Sequence, residues 1–399
     1  MRVSVIGQGY VGLTIAINAA NSGHSVIGYD FNELIVSHLN EGKSHIEGIE
    51  DSLLTSLSNA GLYRATLNPK DMVGSEVIVI AVPTPLTSDR KPELKYVDSA
   101  VETIVEHINH PTLIINESTS YPGTLRTVIA EKIQTKTAIP HRYAASPERV
   151  DPGNAFWGTK NTPRLLSGLN KEATELAKTF YSTFCDNIFV TSTPEVAEMA
   201  KLFENTFRQV NIALVNEFAQ ISHSLGILPR EVIEAAATKP YGFMKFTPGA
   251  GVGGHCIPVD PSYLSFVAES VGVPATFIDR ANIVNLEMPN YVVERIKKAN
   301  SGNLNGKKIV VVGVSYKTDI ADIRETPAEA VIDRLRELGA SVTWHDELVL
   351  NWREEKSAPI EGNDIAVVLM MHSGLDRSQL EKIPYIFDCT GKIPNVDGI

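Results

Sequence analysis

A glycine-rich turn between an apolar strand and a helix is the feature that most restricts how this chain folds. Residues 3–6 form a short apolar run, and Gly7, Gly9 and Gly12 follow it directly. Apolar residues with helical spacing come next, which predicts a buried parallel strand, a tight turn and a helix. Gly7 suits the turn, and Gly12 lets the helix pack closely on the strand. The pattern therefore predicts a doubly wound α/β domain.

The same turn predicts a dinucleotide site. Gly9 leaves room for a pyrophosphate at the helix N-terminus, next to Tyr10 and Val11. A second strand over residues 25–29 ends at Asp30. A carboxylate there can accept hydrogen bonds from both ribose hydroxyls and would repel a 2′-phosphate. The sequence thus favours NAD over NADP as the cofactor.

Two later strands are expected to end at the same edge of this sheet. Residues 76–82 and 112–116 are apolar, and polar segments follow both. The carboxyl ends of the strands in a doubly wound sheet line the ligand crevice, so Thr84, Ser118 and Thr119 are candidate contacts on the nicotinamide side. The same residues are turn formers and can cap a helix beginning near residue 124, and the two roles are compatible.

Another candidate segment covers residues 146–154, where Glu148 and Arg149 lie between prolines. Charged residues fixed by prolines are typical of an active-site loop. A solvated turn explains the same composition equally well. The residues alone leave both interpretations open.

A second glycine-rich stretch, residues 246–261, surrounds Cys256 with four glycines and three prolines. This composition predicts a loop without regular helix or strand. Glycines let the backbone approach a ligand, the thiol is a strong nucleophile, and Asp260 follows four residues later. The alternative is a buried, unreactive cysteine in a tight turn.

A long helix is predicted before this loop. Residues 193–195, Thr-Pro-Glu, supply a capping hydroxyl, a proline at the first helical position and an acid in the first turn. No Gly or Pro interrupts the chain from there to about Leu225. Lys201 and Asn205 fall one turn apart on one face. Such a pair is often solvated surface, but near a reactive cysteine it would offer an ammonium and an amide to a crevice.

The C-terminal part repeats the opening strand–helix–strand pattern. Residues 307–313 resemble the first strand and turn, and a helix over 326–338 follows. The glycine pattern is degraded because Ser315 stands where the second glycine would be, whereas Lys317 and Arg324 add cations in a longer loop. We therefore expect a second doubly wound domain that binds a different phosphate-bearing ligand through side chains.

These patterns predict an α/β protein with two Rossmann-like doubly wound domains joined by a long central helix. The expected division is 1–192 for the NAD-binding domain, 193–300 for the central helical region with the cysteine loop, and 301–399 for the second nucleotide-type domain. A polar stretch near 299–305 is the expected linker.

Composition excludes several classes of function. The formal charge of -11 argues against nucleic acid or an anionic membrane as a partner. Three widely spaced cysteines predict a reducing compartment without disulfides, and no Cys/His spacing predicts a metal site. The N-terminus runs straight into a strand, which predicts that there is no signal peptide, and no apolar run is long enough to span a bilayer, so we expect a cytoplasmic protein.

The chain also resembles a known family, the nucleotide-sugar 6-dehydrogenases, nearly from end to end. The resemblance lies in the first glycine turn, in five further motifs, and in their order along the chain. Those motifs are Val82-Pro83-Thr84-Pro85-Leu86, Ser146-Pro147-Glu148-Arg149, the Lys201/Asn205 helix, residues 253–260 around Cys256, and Tyr316-Lys317 through Arg324. The resemblance implies two successive NAD-dependent oxidations of a sugar C6 alcohol to a carboxylate, with Cys256 carrying a thiohemiacetal and then a thioester.

The resemblance also implies roles for the candidate residues. Lys201 and Asn205 would stabilise the negative oxygen, and Asp260 and Glu148 would handle the water and protons of hydrolysis. The second domain would bind UDP, and a homodimer is implied. Arg324 would contact NAD, while the substrate would be bound by Glu148, Arg149, Lys201, Asn205, Phe246, Gly249, Gly251, Gly253 and Lys317.

The substrate and the activity retain alternatives at this stage. The Ser-Pro-Glu-Arg and Gly-Gly-His-Cys-Ile-Pro segments resemble the branch acting on UDP-N-acetylglucosamine or UDP-N-acetylmannosamine, which we favour over UDP-glucose. Leu34 and Ile35 stand where the family often has a cation after Asp30. A single-step hydroxy-acid dehydrogenase and a non-catalytic nucleotide-sugar-binding protein are the rival interpretations.

Overall fold

The computed structural model describes residues 1–151, 154, 156–254 and 256–399. Pro152 and Gly153 of the predicted 146–154 loop, and His255 of the predicted cysteine loop, lie outside the described residues. The chain forms two compact units. The first comprises Met1–Glu204 and Phe266–Gly272, and the second comprises Asn205–Ser265 and Val273–Ile399.

The first unit is built on an eight-stranded sheet of order β3-β2-β1-β4-β5-β6-β7-β8. All neighbouring strands are parallel except β6 and β7. The first six strands have the order typical of dinucleotide-binding domains. The strands are β1 (Arg2–Ile6), β2 (Ser25–Tyr29), β3 (Tyr63–Thr66), β4 (Val77–Ile80), β5 (Leu113–Asn116), β6 (Arg142–Ala145), β7 (Arg164–Gly168) and β8 (Ile188–Val190).

Helices cover both faces of this sheet. Consecutive strand residues point to opposite faces, and the residues on each face are apolar. Val77 and Val79 face the core formed with α1 and α6, whereas Ile78 and Ile80 face the core formed with α4. A π-helical segment, Leu125–Ala130, precedes α5, close to the predicted helix start at residue 124. The helices are α1 (Tyr10–Asn21), α2 (Glu33–Asn40), α3 (Asp51–Asn59), α4 (Lys95–His107), α5 (Glu131–Lys136) and α6 (Lys171–Tyr181).

The predicted long helix is confirmed as α7, Pro194–Ser224, which is 31 residues long. It begins in the first unit and continues into the second. Three more helices belong wholly or mainly to the second unit. They are α8 (Pro229–Ala237), α9 (Cys256–Ser270) and α10 (Thr276–Ala299).

The second unit carries a parallel sheet of order β10-β9-β13-β14-β15. The helix α11 (Pro327–Glu337) packs with Ile309 and Val311 of β9, while Val310 and Val312 face the opposite core. The predicted second doubly wound domain is therefore confirmed. The strands are β9 (Lys308–Val312), β10 (Ser341–His345), β11 (Asn351–Trp352), β12 (Glu355–Lys356), β13 (Ile365–Val368), β14 (Tyr385–Asp388) and β15 (Asp397–Gly398), of which β11 and β12 form a separate antiparallel pair.

One local prediction is wrong. The cysteine stretch was expected to lack regular structure, yet α9 begins at Cys256 and runs through Pro258 and Pro261. Pro258 lies in the first turn, where a backbone N–H has no helical acceptor, so its ring costs little there. Pro261 removes one internal hydrogen bond, and the helix continues beyond it.

Among the described residues, no helix combines the length and the hydropathy needed to cross a bilayer.

Candidate active site

The glycine turn of the first unit is sterically obligatory at two positions and open at the third. A Cβ on Gly12 would lie 1.8 Å from the carbonyl oxygen of Gly7, and one on Gly7 would lie 2.4 Å from that of Ala81. Gly7 also has φ +90°, which disfavours any other residue. At Gly9, by contrast, no described atom beyond the adjacent residues lies within 4 Å of the Cβ position. The open space is where a pyrophosphate would approach the N-terminus of α1.

Asp30 is anchored beside this turn at the end of β2. It is 9% exposed, and its carboxylate accepts from the backbone N–H of Gln8 at 2.8 Å and of Asn32 at 2.9 Å. These bonds fix the carboxylate while leaving further lone pairs for ribose hydroxyls. The turn, the helix N-terminus and Asp30 together fit a dinucleotide with an unphosphorylated ribose.

Two alanine substitutions separate the structural glycine from the open one. Gly12→Ala should lower the melting temperature and abolish NAD binding, because its methyl overlaps the backbone of the turn. Gly9→Ala should leave the melting temperature within a degree or two but weaken NAD binding about tenfold or more, since its methyl occupies the pyrophosphate space. Thermal unfolding and NAD titration check both, and equal effects of the two changes would contradict the assignment.

The other predicted cofactor contacts lie in loops after β4 and β5. Ser118 is buried, and its Oγ accepts from the Val82 N–H at 2.9 Å, so this hydroxyl ties the two strand ends together. Thr84 is also buried, and Thr119 is partly exposed. The structure thus supports the turn-forming role of Ser118, whereas the nicotinamide contacts stay predictions.

Sequence reasoning missed Glu198, which fixes this loop from α7. Its carboxylate accepts from the N–H groups of Gly123 at 2.7 Å and Leu125 at 2.9 Å. Burial raises the pKa of Glu198 to about 7, and these two N–H groups oppose the increase. The available signal in the sequence was an acidic residue one helical turn before the apolar Leu202.

Glu148 and Arg149 are both held by ionic contacts within the first unit. Glu148 Oε2 accepts from Arg164 Nη2 at 2.6 Å, and Oε1 accepts from the N–H groups of Arg149 and Val150 at 2.7 Å. Burial by itself would raise the pKa of Glu148, but the charge of Arg164 and the backbone donors outweigh it and lower the pKa. Arg149 pairs through Nε and Nη2 with Glu204, at 3.0 and 2.6 Å.

The second unit brings Asn205 and Asp260 together, one helical turn from Cys256. Asn205 Nδ2, on α7, donates to Asp260 Oδ2, on α9, at 2.5 Å. Asp260 is 0% exposed, whereas Cys256, one helical turn earlier on α9, is exposed. Residues four apart share a helix face, so the thiol and the carboxylate lie on the same side. Lys201 precedes Asn205 by one turn on α7 and is 9% exposed.

Near the N-terminal end of the glycine loop, both polar groups of the Pro248–Gly249 peptide bond are hydrogen-bonded to side chains. Asn216 Oδ1 accepts from the Gly249 N–H at 2.9 Å, and Arg230 Nη2 donates to the Pro248 carbonyl at 3.2 Å. Arg230 also donates to the Cys389 carbonyl at 2.7 Å. Phe246 meets Phe207 edge to face, with ring centroids 6.1 Å apart. Asn216 and Arg230 gave no recognisable motif in the sequence.

The C-terminal end of the loop packs against Tyr316. A Cβ on Gly253 would lie 2.6 Å from Tyr316 Cβ, and one on Gly254 would lie 2.8 Å from the ring. The Gly254 N–H donates to the Arg324 carbonyl at 2.8 Å. Arg324 pairs with Asp322, and the hydrogen bond between them raises the pKa of Arg324, with the nearby Cys256 thiolate adding to the increase. The predicted NAD contact therefore lies within electrostatic range of the nucleophile.

The loop that carries Lys317 and Arg324 is held by Asp346 and His372. The Asp319 N–H donates to His372 Nδ1 at 2.8 Å, so Nε2 carries the proton and lies 3.2 Å from Asp346 Oδ2. Asp319 has φ +61°, a conformation that requires such support. Asp346, Glu347 and His372 place ligand atoms within 4.8 Å of one another. Because Asp346 already accepts from four backbone N–H groups, we assign no metal there.

Asp346 makes the stability of the second unit pH-dependent. Burial would raise its pKa, but the His372 hydrogen bond and backbone donors lower it to about 2. A lowered carboxyl pKa stabilises the fold above the unfolded value and loses that contribution as pH falls. We expect Asp346→Asn to cost about 2 kcal/mol near pH 5 and about half as much at pH 3. Denaturant unfolding at both pH values measures this, and a cost independent of pH would contradict it.

A dinucleotide fold in one unit and a nucleophile-bearing nucleotide fold in the other define the class of protein, a nicotinamide-dependent oxidoreductase. Three family models match the chain. They describe the UDP-glucose/GDP-mannose dehydrogenase family: its NAD binding domain over residues 1–185, its central domain over 195–287 and its UDP binding domain over 310–394. The chain belongs to the UDP-glucose/GDP-mannose dehydrogenase family.

Individual relatives agree over the full length. A UDP-N-acetyl-D-mannosamine dehydrogenase of Pyrococcus horikoshii is 35% identical over 93% of this chain and 90% of its own. A solved UDP-D-ManNAc dehydrogenase structure from the same species has a TM-score of 0.90 at 33% identity, covering 100% and 99% of the two chains. Cap5O of Staphylococcus aureus, a UDP-N-acetyl-mannosamine dehydrogenase, gives 0.87 at 30%, covering 100% and 97%. The predicted family, fold and NAD cofactor are confirmed.

Proposed function

We propose that this protein oxidises the C6 alcohol of UDP-N-acetylmannosamine to the carboxylate in two NAD-dependent steps through Cys256. The observation that carries the proposal is the hydrogen bond between Asn205 and the buried Asp260, one helical turn from an exposed thiol. The substrates named for the relatives reported above support the mannosamine epimer over the glucosamine one, and both over UDP-glucose. The hydroxy-acid rival leaves the cysteine unexplained.

In the proposed reaction the sugar is covalently attached between two oxidations. NAD, when bound, accepts a hydride in each of them. The Cys256 thiolate adds to the C6 aldehyde, which forms a C–S bond and a thiohemiacetal oxyanion. After the second oxidation the sugar is a thioester. Water attacks its carbonyl, the C–S bond breaks, and the carboxylic acid leaves while the thiolate is restored.

The neighbouring side chains have separate tasks in this scheme. Lys201 and Asn205 donate to the C6 oxygen as it becomes negative, and a buried ammonium does so at low dielectric. Asp260 orients Asn205 and receives protons at the thiol end, and Glu148 serves as the general base for water. Because its pKa is lowered, Glu148 is ionised at neutral pH.

We propose the substrate and cofactor contacts that the sequence predicts. We assign Tyr10, Val11, Thr84, Thr119 and Arg324 to NAD, and Arg149, Phe246 and Lys317 to the UDP-sugar. Gly249, Gly251 and Gly253 give the pyrophosphate and sugar room against the backbone. We keep the three-part division at residues 192 and 300.

We further propose a cytoplasmic homodimer. Leu214 and Ile221 of α7 are 61% and 52% exposed, which a second copy would cover. No disulfide is found among the described cysteines, which agrees with a reducing compartment.

A panel of UDP-sugars, each offered with NAD or NADP, tests the proposed function. We expect UDP-N-acetylmannosamine with NAD to give two NADH per sugar consumed. UDP-glucose should turn over at least about tenfold more slowly. One NADH per product would instead support a single-step dehydrogenase, and turnover with none of the sugars would support a binding protein.

A further inference from the structure

A buried charge cluster in the first unit lies behind Glu148. It consists of Glu117 after β5, Glu148 after β6, Arg164 of β7 and Tyr181 of α6. The side chains of Arg164, Glu117 and Glu148 are 4%, 0% and 13% exposed. Within this cluster, the carboxyl groups of Glu117 and Glu148 share the guanidinium group of Arg164.

The geometry connects the two acids through Arg164. Its Nη2 donates to Glu148 Oε2 at 2.6 Å, and its Nη1 lies 3.1 Å from Glu117 Oε2. The guanidinium carbon lies 4.5 Å from the centre of the Tyr181 ring. The Tyr181 O–H donates to Glu117 Oε1. The three charged side chains are buried, so each charge acts strongly on the others.

The remaining ionisable neighbours do not balance the charge. Burial raises the pKa of Tyr181 and of Cys185, which also faces Arg164, so both are neutral at pH 7. One guanidinium and two carboxylates would leave a net negative charge in the interior, which is costly. The cluster therefore retains a proton near neutral pH.

Glu117 is the site of that proton. Glu148 accepts from two backbone N–H groups as well as from Arg164, whereas the other partner of Glu117 is a phenol, whose oxygen can accept from the protonated carboxyl group. Burial raises the pKa of Glu117 to about 7 against the charge of Arg164, and the charge of Glu148 adds to the increase. Two such acids titrate as a coupled pair.

We propose that Glu117 is a positioning residue that stores this proton and, through Arg164, sets how strongly Glu148 attracts a proton. When Glu117 is neutral, Arg164 serves Glu148 alone, and Glu148 is the weaker base. When Glu117 is ionised, it shares Arg164 and adds a second negative charge, so Glu148 becomes the stronger base. The catalytic consequence rests on the general-base role proposed for Glu148.

The charge coupling can be tested without turnover. Infrared difference spectra of the whole protein should show a protonated carboxyl band that titrates near pH 7 and is absent from Glu117→Gln. In Glu148→Gln the midpoint of this band should fall by about one pH unit or more, because Glu117 then has Arg164 to itself. Glu198, whose pKa is also raised to about 7, has its own band. Glu198→Gln identifies that band and should leave the Glu117 midpoint in place.

A midpoint unmoved in Glu148→Gln, or no neutral-pH band assigned to Glu117, would overturn the coupling. In Glu117→Gln the amide oxygen can accept from Arg164 and the amide NH2 can donate to the Tyr181 hydroxyl oxygen, so the cluster should retain its packing. Thermal unfolding of each variant confirms that the spectra report folded protein.

The catalytic consequence is tested on the pH profile of thioester hydrolysis. In the wild-type protein the single-turnover rate should rise through an inflection near pH 7. Glu117→Gln should remove the inflection and lower the rate at pH 8 about tenfold, and Glu117→Asp, which keeps the charge, should retain it. A uniform loss at every pH means a purely structural role and overturns the proposal.

The two experiments also separate this inference from the proposed function. If the infrared spectra show the coupling but the wild-type rate of thioester hydrolysis does not change with pH, the positioning role of Glu117 is overturned. Failure of the wild-type protein to oxidise any UDP-sugar would fault the proposed function and leave the infrared result unaffected.

Discussion

The Cys256→Ala variant is expected to form no sugar acid, with a loss of at least about 10³-fold in acid production. Without the thiol the aldehyde cannot be attached, so the second oxidation has no thiohemiacetal to act on. NAD binding should be unchanged, because the glycine turn and Asp30 belong to the other compact unit. Counting NADH against acid in single-turnover reactions measures the effect.

The chain offers a matched control for this substitution. Cys389 lies in the core of the second unit, 2% exposed, and burial raises its pKa, so it is an unreactive thiol. Cys389→Ala should keep full acid production while costing about 1–2 kcal/mol of stability. Normal turnover in Cys256→Ala would refute the covalent mechanism.

Lys201→Met is expected to lower kcat by about 10² to 10³ with a much smaller change in KM. Lys201 is 9% exposed on α7, so methionine fills its space and removes the charge without opening a cavity. The ammonium acts on an oxygen that is negative only along the reaction path, which is why binding should suffer less than turnover. Steady-state kinetics with UDP-N-acetylmannosamine provide both constants.

An exposed cation serves as the control for net charge. Lys171→Met, at the start of α6, removes the same charge from the surface and should change neither constant by more than about twofold. If Lys201→Met raised KM and left kcat intact, Lys201 would be a binding residue only.

The elements predicted from the sequence were those whose residues have few conformational choices. The turn at Gly7, Gly9 and Gly12 was identifiable because two of the three positions have no room for a Cβ. The long α7 was predictable because its start signal and its uninterrupted composition are local features. The motifs contain both Asn205 and Asp260. Their hydrogen bond could not be predicted from the sequence, because it depends on how α7 and α9 pack against each other.

The buried charge cluster was beyond sequence reasoning for a physical reason. Tyr181 and Glu117 are 64 residues apart, and Arg164 reaches them through the placement of β7 beside β6 in the sheet. No local pattern marks such a contact. A lone arginine or glutamate on a short strand is compatible with either a solvated or a buried side chain.

The helical start at Cys256 was not predicted, because the glycines and prolines of residues 246–261 both disfavour the interior of a helix. Proline breaks a helix in its interior but is tolerated in the first turn. The observed geometry places the thiol at a helix N-terminus, where negative charge is stabilised. The structure thus adds a reason for thiolate reactivity that composition did not provide.

Mass spectrometry of the enzyme quenched during turnover tests the covalent step most directly. Rapid acid quenching after mixing with UDP-N-acetylmannosamine and NAD, followed by digestion, isolates the peptide that contains Cys256. The proposed mechanism predicts a fraction of that peptide carrying the mass of the sugar nucleotide as a thioester, and none on the Cys389 peptide. A Cys256 peptide that stays unmodified while two NADH are formed per sugar would contradict it.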